Sequence, residues 1–176
     1  MKKLSMDELK RMSVEEFKRS EKTPLILILD NIRSLNNVGS IFRTADAFLL
    51  EGIYLCGITA TPPHREIQKT ALGATESVNW KHFEKIEDAV AELKSNNYKI
   101  ISVEQVENPI YLNDFTPNKN CKYAIVLGNE VEGVSQDIIN QSDYCIEVPQ
   151  LGTKHSLNVS VCAGILIWDL YNKLKK

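Results

Sequence analysis

Residues 25 to 29 read Leu-Ile-Leu-Ile-Leu, an unbroken aliphatic run whose length fits one strand. Pro24 precedes the run, and the turn-forming pair Asp30 and Asn31 follows it. A strand with one solvated face alternates apolar and polar residues, whereas this run has no polar residue, so we predict a strand buried on both faces. Strands of this kind belong to parallel sheets that helices cover from both sides. The run therefore directs the chain toward an α/β fold.

Helix and strand patterns alternate along the rest of the chain. Apolar residues between Val38 and Leu49 recur three and four positions apart, which predicts a helix that starts at Asn37. The other predicted segments are strands at 53–56, 98–103, 123–127 and 144–148, and helices at 66–71, 86–96, 135–141 and 157–174. About five strands that alternate with helices predict an α/β domain with a mainly parallel sheet and helices on both faces.

The first 22 residues differ in pattern from the remainder. Two capping boxes, Ser5-Met-Asp-Glu8 and Ser13-Val-Glu-Glu16, each precede a short stretch rich in Glu, Lys and Arg. We therefore predict an N-terminal helical extension over residues 1–22 and one domain over residues 23–176. A chain of 176 residues buries enough surface to form one core without disulfides or metal ions.

Hydropathy, cysteine usage and charge narrow the class of protein. The longest apolar stretch, residues 161–168, ends at Asp169, and no apolar run follows the basic residues at the start, so we expect neither a membrane span nor a signal peptide. The four cysteines form no C-x-x-C pair, which is typical of reduced thiols in a cytoplasmic protein and disfavours structural zinc. The net charge of −2 argues against a uniformly basic surface, so any RNA-binding surface must be local.

Three loops that follow predicted strands carry glycines and polar side chains, at residues 30–43, 127–135 and 148–160. Ligands of parallel sheets bind beyond the carboxyl ends of the strands, so these loops are where a site is expected. None is a common nucleotide motif: Gly128 and Gly133 have the spacing of a P-loop, but Val134 occupies the position of its lysine, and the chain has no G-x-G-x-x-G. By itself, the second loop is better explained as a tight turn before a helix.

Taken together and in order, the loops resemble the three motifs of the SpoU/TrmH family of RNA ribose methyltransferases, in the SPOUT superfamily. The first motif corresponds to Asn37 through Arg43 with Thr-Ala-Asp-Ala after it, and the second to Leu127-Gly-Asn-Glu-Val-Glu-Gly133. The third corresponds to Ile146-Glu-Val-Pro-Gln-Leu-Gly152 and to Ser156-Leu-Asn-Val-Ser160, the most specific string. The match covers roughly residues 24 to 172. Within the family, Val103-Glu-Gln and Ile167-Trp-Asp are most similar to the tRNA guanosine ribose methyltransferases.

The resemblance implies both a fold and a cofactor. In the family the C-terminal segment threads through a loop to form a deep trefoil knot, and the knot holds S-adenosylmethionine. The family's cofactor contacts fall mostly on the backbone of the knot loops, which here correspond to Leu127, Gly128, Ile146, Pro149, Leu151 and Leu157. An apolar wall for adenine, with backbone donors and acceptors for its edge, would suffice for that ligand.

The resemblance also implies catalytic residues, which are Arg43, Asn37, Glu130, Ser156 and Asn158. Transfer to a ribose 2′-hydroxyl requires alignment of that hydroxyl with the methyl group and loss of its proton. In the family this activation is assigned to the motif-one arginine, here Arg43. A guanidinium with a pKa above about 12 is a poor base, so we interpret Arg43 as a group that positions phosphate and hydroxyl and stabilises the alkoxide. A phosphate or a water molecule would accept the proton.

The four other polar residues are expected to orient Arg43, the knot backbone and the ribose through hydrogen bonds. Read singly, Asn37 and Ser156 are better explained as helix caps, and Glu130 is a surface carboxylate in a turn. Read within the three motifs, the functional role is favoured for all of them.

The residues and the resemblance together also predict the binding partners of the chain. Arg33, Arg65 and Lys154 are candidate RNA-binding cations, because together they could form a basic rim for phosphates. The family builds its RNA site across a homodimer, and the last helix, with Ile165, Leu166, Trp168 and Leu170, is apolar on more than one face. We expect tRNA as the substrate and no metal ion. Ribosomal RNA as the substrate is one alternative, and an inactive RNA-binding relative is another, although the complete set of motif residues disfavours the latter.

Overall fold

In the computed structural model, which describes residues 1–5, 7–9 and 11–175, seven parallel strands form one sheet. The strands are β1 (Thr23–Asp30), β2 (Leu50–Cys56), β3 (Trp80–Phe83), β4 (Tyr98–Val103), β5 (Ile110–Tyr111), β6 (Lys122–Leu127) and β7 (Tyr144–Glu147). The helices are α1 (Val14–Arg19), α2 (Leu35–Ala47), α3 (Arg65–Ala71), α4 (Ala74–Ser77), α5 (Ile86–Ser95), α6 (Gln136–Gln141) and α7 (Val159–Leu174), with a 3-10 turn at Asp7–Leu9. Within the described residues, no helix combines the length and the apolar composition needed to cross a bilayer.

The aliphatic run identified in the sequence forms β1, an interior strand of the sheet. The order of strands is β3-β2-β1-β6-β4-β7-β5, so β1 lies between β2 and β6. Leu27 pairs with Ile53 on one side and with Ile125 on the other, and residues 25 to 29 are all buried. The prediction of a strand buried on both faces is therefore confirmed.

The sheet has seven strands where the sequence predicts about five. The two unpredicted strands, β3 and β5, lie at opposite edges of the sheet. The residues of β3 are exposed or half-buried, and β5 has only two residues, both exposed. An edge strand of this kind needs no continuous apolar run and is too short to show a period, so the hydrophobic pattern gives no signal for it.

Alternate residues of β1 enter two separate cores, one on each face of the sheet. Leu25, Leu27 and Leu29 pack in the core that contains the buried residues of α2, α3 and α7. Ile26 and Ile28 pack in the core that contains the buried residues of α5 and α6. The predicted arrangement of helices on both faces is therefore confirmed.

The N-terminal segment contributes to the first of these cores. α1 begins at a predicted capping box, in which Ser13 Oγ accepts the N–H of Glu16 at 3.1 Å and the Glu16 carboxylate accepts the N–H of Ser13 at 2.7 Å. Phe17 of α1 is buried in the core that also contains α2 and α7. Lys22 and the hydroxyl of Ser20 both donate to the carbonyl of Phe17 at the end of α1.

α2 and α3 cross in close contact at Gly39. A Cβ added at Gly39 would lie 2.1 Å from Thr70 Oγ1 and 2.3 Å from the carbonyl oxygen of Ile67. Thr70 Oγ1 also donates to the Asn36 carbonyl at 3.1 Å, which links the two helices at this point. The glycine of the first motif is therefore explained by helix packing, because the crossing leaves no room for a side chain.

Gly39→Ala is expected to lower the free energy of unfolding by about 3 kcal/mol, because the backbone of α3 must move to accept a methyl group. Ser40→Ala, at the next position of the same helix, is the control and should change stability by less than about 0.5 kcal/mol. Urea denaturation measures both values. Equal stabilities for the two variants would contradict the tight crossing.

Candidate functional site

A cavity of about 310 Å³ opens at the carboxyl ends of β4, β6 and β7, beside the start of α7. Its walls come from the end of β4, from the loop between β6 and α6, and from the chain between β7 and α7. Two of the three loops singled out in the sequence therefore form it. Ligands of parallel sheets bind at this edge, which makes the cavity the candidate site.

The loop between β6 and α6 is a tight turn closed on itself. The Asn129 carbonyl accepts the N–H of Gly133 at 3.0 Å, and the Asn129 side chain accepts the N–H groups of Val131 and Glu132 at 2.9 and 2.8 Å. Gly133 has a φ of 66°, in the left-handed region that favours glycine. At Gly128, a Cβ would lie 2.1 Å from the carbonyl oxygen of Gly133. The two glycines therefore allow the ends of the loop to meet.

Glu104, the first residue after β4, holds this loop in place. Its carboxylate accepts the N–H of Val134 at 2.9 Å and the N–H of Gln105 at 2.8 Å. A Cβ at Gly133 would lie 2.0 Å from the same carboxylate, so the contact requires glycine. The backbone N–H of Glu104 donates to the Ile146 carbonyl at 3.2 Å. Glu104 therefore joins β4, β7 and the turn that forms one wall of the cavity.

One polar residue from each motif loop meets the others beside the cavity. Asn37 Nδ2 donates to Glu130 Oε1 at 3.2 Å, and Asn158 Nδ2 donates to Asn37 Oδ1 at 3.2 Å. Glu130 also lines the cavity, so these bonds connect the first turn of α2 to the cavity wall. We call this set of three residues the junction.

Residues other than Asn37 and Ser156, which were candidate caps when read singly, cap the two helices. Ser34 caps α2, because its Oγ accepts the N–H of Asn37 at 3.3 Å. Asn158 caps α7, because its Oδ1 accepts the N–H of Ser160 at 3.0 Å. The interpretation of Asn37 and Ser156 as caps is therefore wrong. The Asn37 side chain forms bonds across the junction, and Ser156 lies in exposed chain before α7.

Several residues identified in the sequence line the cavity, namely Leu127, Gly128, Glu130, Ser156 and Leu157. Others lie outside its lining. Ile146 is fully buried in the core, and Pro149 and Leu151 are exposed to solvent. Arg43 is exposed on α2, beyond the junction. One copy of the chain therefore does not bring Arg43 to the cavity.

The remaining lining residues outside the second loop are not among the site residues predicted from the sequence. They are Val103, Glu104, Gln105, Glu147, Val148, Gln150, His155, Val159 and Cys162. Glu104 and Gln105 directly follow a predicted strand, so the rule that ligands bind at strand ends could have identified them. Glu147, Val148, Gln150 and Val159 lie within the strings of the third motif, whereas Cys162 is brought to the cavity only by the path of the chain after β7.

The charged lining of the cavity is acidic. It contains four carboxylates, from Glu104, Glu130, Glu132 and Glu147, and no lysine or arginine. Such a lining favours a ligand with positive charge. Burial, and then the charge of Glu104, raise the pKa of the Cys162 thiol to about 11, so this thiol is protonated at neutral pH. In the described part of the chain, no three His, Cys, Asp or Glu side chains are placed to hold a metal ion.

The candidate RNA-binding cations are not among the residues that line the cavity. Arg33 precedes α2, Arg65 begins α3, and Lys154 lies between β7 and α7; all three are exposed. Among the described residues, six ion pairs form, and each uses a lysine other than Lys154. These three cations are therefore available for an anionic ligand.

A buried carboxyl group lies at the end of β1. Asp30 is 7% exposed and accepts the Nδ2–H of Asn31 at 2.9 Å. Burial, and then the charge of Glu87, raise the pKa of Asp30 to about 6. Its neighbour on β2, Cys56, has a thiol whose pKa is raised to about 12, by burial and then by the charge of Asp30.

Comparison with known proteins gives one family. The family model described as the SpoU rRNA Methylase family matches residues 24–168. A protein of Staphylococcus aureus (strain MSSA476) named as a TrmH family tRNA/rRNA methyltransferase is 29% identical over 160 residues, which are 91% of this chain and 63% of the relative. The chain therefore spans less than two thirds of the length of that relative.

Solved structures show the same fold. The structure of the AdoMet-bound rRNA methyltransferase from Sinorhizobium meliloti has a TM-score of 0.80 and 22% identity, over 89% of this chain and 59% of that one. The A. aeolicus TrmH/SpoU tRNA modifying enzyme has a TM-score of 0.78 and 24% identity, over 91% of this chain and 79% of that one.

Asp30→Asn is expected to change how stability depends on pH. Folding raises the pKa of Asp30 from 3.8 to about 6, so wild-type stability falls as pH rises through this window, where the folded chain binds more protons than the unfolded chain. The asparagine variant lacks this loss and should be more stable than wild type above pH 6, by up to roughly 3 kcal/mol.

Urea denaturation of wild type and Asp30→Asn at pH values on both sides of this window measures the difference. Asp88→Asn, which replaces an exposed carboxyl of α5, is the control and should show no comparable change between pH 5 and pH 7. A stability difference for Asp30→Asn that is constant with pH would contradict the raised pKa.

Proposed function

The chain belongs to the SpoU rRNA methylase family, and on that premise we propose that it methylates the 2′-hydroxyl of a ribose in RNA, with S-adenosylmethionine as the methyl donor. The observation that carries the proposal is the junction of Asn37, Glu130 and Asn158 beside the cavity. Each of these residues comes from a different motif loop. An inert fold would have no need to join three exposed or half-buried polar side chains at a cavity wall.

The residues of the cavity fit S-adenosylmethionine. Val103, Leu127, Leu157 and Val159 provide apolar surface for an adenine ring. The four carboxylates of the lining suit a ligand that carries a sulfonium and an ammonium group. We propose that Leu127, Gly128 and Leu157 hold the cofactor through backbone groups, and that Ile146, Pro149 and Leu151 belong to the same binding segments.

S-adenosylmethionine, when bound, supplies an activated methyl group. The chain must then place the 2′-hydroxyl in line with that group and allow the hydroxyl proton to be removed. We assign Asn37, Glu130, Ser156 and Asn158 to orienting the ribose and the loops. Arg43 holds a neighbouring phosphate and stabilises the negative charge that develops on the 2′-oxygen, and a phosphate or a water molecule accepts the proton.

A homodimer is part of this proposal, because α7 presents an apolar stripe to solvent. Val161, Ile165 and Trp168 are 52%, 38% and 56% exposed, and their spacing places them on one side of the helix. Leu166 and Leu170, which the sequence suggested for the same contact, are instead buried in the chain's own core. A second copy that covers the stripe would form a symmetric dimer.

The proposed dimer also explains how Arg43 could lie beside a cavity. α7 borders the cavity at its start and packs against α2, the helix that carries Arg43. A symmetric contact along α7 therefore brings α2 of one copy toward the cavity of the other. We propose that each active site combines the cofactor cavity of one copy with Arg43 of the second.

We propose further that the C-terminal part of residues 23–176 is knotted, as the family resemblance implies. β6 and β7, the last two strands, lie on either side of β4 instead of at an edge of the sheet. This interleaving of late strands with earlier ones supports a threaded path. Residues 1–22 are then an extension of the methyltransferase domain, held to it through Phe17.

RNA is the proposed partner, tRNA the preferred substrate and the cytoplasm the proposed location. Arg33, Arg65 and Lys154, together with basic residues of the N-terminal segment, would contact phosphates, since the three named cations are exposed and outside the ion pairs described above. Sequence similarity to tRNA guanosine ribose methyltransferases supports tRNA. Ribosomal RNA is the second candidate, because the Staphylococcus aureus relative is named for both substrates.

Transfer of label from methyl-labelled S-adenosylmethionine to total RNA, with mapping of the modified nucleotide, tests the proposal. A 2′-O-methyl group on tRNA is the expected result, and one on ribosomal RNA would select the second candidate. Methylation of a base would contradict the proposed chemistry. RNA binding without any transfer would identify an inactive relative.

Arg43→Ala is expected to leave S-adenosylmethionine affinity near that of wild type and to lower single-turnover methylation by at least about 100-fold, because Arg43 acts chiefly in the transition state. Arg43→Lys should restore little, since an ammonium group cannot replace a planar fork. Asn158→Ala should also weaken cofactor binding, because Asn158 caps α7 and bonds to Asn37. Calorimetry and single-turnover assays measure these values, and wild-type turnover in Arg43→Ala would remove Arg43 from the mechanism.

Trp168→Glu is expected to convert a dimer into a monomer, because it places a charge in the apolar stripe of α7. Ile58→Glu is the control: Ile58 is exposed in the loop after β2, away from the stripe, and its variant should stay dimeric. Sedimentation at micromolar concentration measures both. A monomeric wild type with full activity would contradict the proposed shared site.

A further inference from the structure

One wall of the cavity is a segment without helix or strand. Residues 149–157, which we call the strap, connect β7 to α7, and residues 151–157 are all exposed. The strap nevertheless contributes Gln150, His155, Ser156 and Leu157 to the cavity lining. Its position therefore decides how open the cavity is, although little of it is packed against the domain.

A single hydrogen bond joins the strap to the rest of the chain among the residues that the structure describes. Gln105 Nε2 donates to the backbone carbonyl of His155 at 3.1 Å. Gln105 is exposed, so this bond contributes nothing to the hydrophobic core. The bond therefore acts on the position of the strap and not on the packing of the core.

The backbone that carries the donor is itself held by hydrogen bonds. The N–H of Gln105 is bound by the Glu104 carboxylate at 2.8 Å, and Glu104 is itself joined to Val134 and Ile146. The two residues after β4 therefore contact opposite walls of the cavity, Glu104 the turn after β6 and Gln105 the strap. A fixed donor can hold a loosely attached segment, because the position of the donor costs no further ordering.

We propose that Gln105 is a positioning residue that latches the strap over the cofactor cavity through the His155 carbonyl. The identity of the ligand, S-adenosylmethionine, rests on the proposed function. The latch itself does not depend on that function. Loss of one such hydrogen bond is expected to lower the population of the closed strap by about fivefold.

Trypsin measures the latch without any ligand. Lys154 is the only lysine or arginine between residues 123 and 172, so cleavage after it gives two fragments of unique mass. Gln105→Ala should increase the rate of this cleavage by about fivefold. Gln105→Glu keeps the size of the side chain but cannot donate a hydrogen bond to a carbonyl, so it should behave as Gln105→Ala does.

Glu107→Gln is the matched control, because Glu107 is an exposed residue of the same connection and does not line the cavity. Its cleavage rate should equal that of wild type. The urea midpoints of all three variants should equal that of wild type, since a merely structural role for Gln105 would lower the midpoint together with any change in cleavage. Wild-type cleavage rates in both Gln105 variants would overturn the latch.

S-adenosylmethionine provides the second arm of the experiment. It should slow cleavage after Lys154 in wild type, and its dissociation constant should rise by about fivefold in Gln105→Ala, which adds no charge to the cavity. Faster cleavage in the Gln105 variants, with no S-adenosylmethionine binding to wild type, would support the latch and reject the proposed cofactor. Faster cleavage with an unchanged dissociation constant would overturn the role of the strap in holding the ligand.

Discussion

β1 lies between β2 and β6, and its side chains join the cores on the two faces of the sheet. Its five aliphatic residues are all buried. At roughly 1.5–3 kcal/mol for each fully buried aliphatic side chain, the strand provides a large part of the hydrophobic stabilisation. The strand also ends at Asp30, which fixes where α2 begins and therefore where Asn37 and Arg43 lie.

The cavity is built by a few polar contacts at the carboxyl edge of this sheet. Glu104 holds the turn after β6, Gln105 reaches the strap, and Asn158 both caps α7 and bonds to Asn37. Apart from the buried Val134, the residues that form these hydrogen bonds are exposed or half-buried, and each bond contributes about 1 kcal/mol. The site is consequently far less strongly held than the sheet that carries it, which is typical of regions that bind ligands.

Negative and positive side chains lie at two different places on the protein. The cavity has a carboxylate lining, whereas Arg33, Arg43 and Arg65 are exposed outside it. A cationic methyl donor and an anionic RNA would therefore be attracted to different surfaces of the same protein, which reconciles the slightly negative net charge with an RNA substrate. The proposed dimer, which assigns Arg43 of one copy to the cavity of the other, would bring the two surfaces together.

The sequence alone predicts the α/β class, the buried strand β1, most helices and the three loops, because hydrophobic periodicity and turn residues are local signals. It also determined the family, through motifs whose polar residues stand at fixed positions such as Asn37, Glu130 and Asn158. The folded structure was needed to show that Ser34 and Asn158 are the caps, that Glu104 holds the turn after β6, and that Arg43 lies outside the cavity lining. The contact of Glu104 with Val134 and the position of Arg43 relative to the cavity depend on residues distant in the chain, which a local pattern does not encode. The caps are contacts between near neighbours, for which the sequence offered more than one candidate residue. The edge strands β3 and β5 likewise form because a neighbouring strand offers hydrogen bonds, and their own residues carry no apolar period.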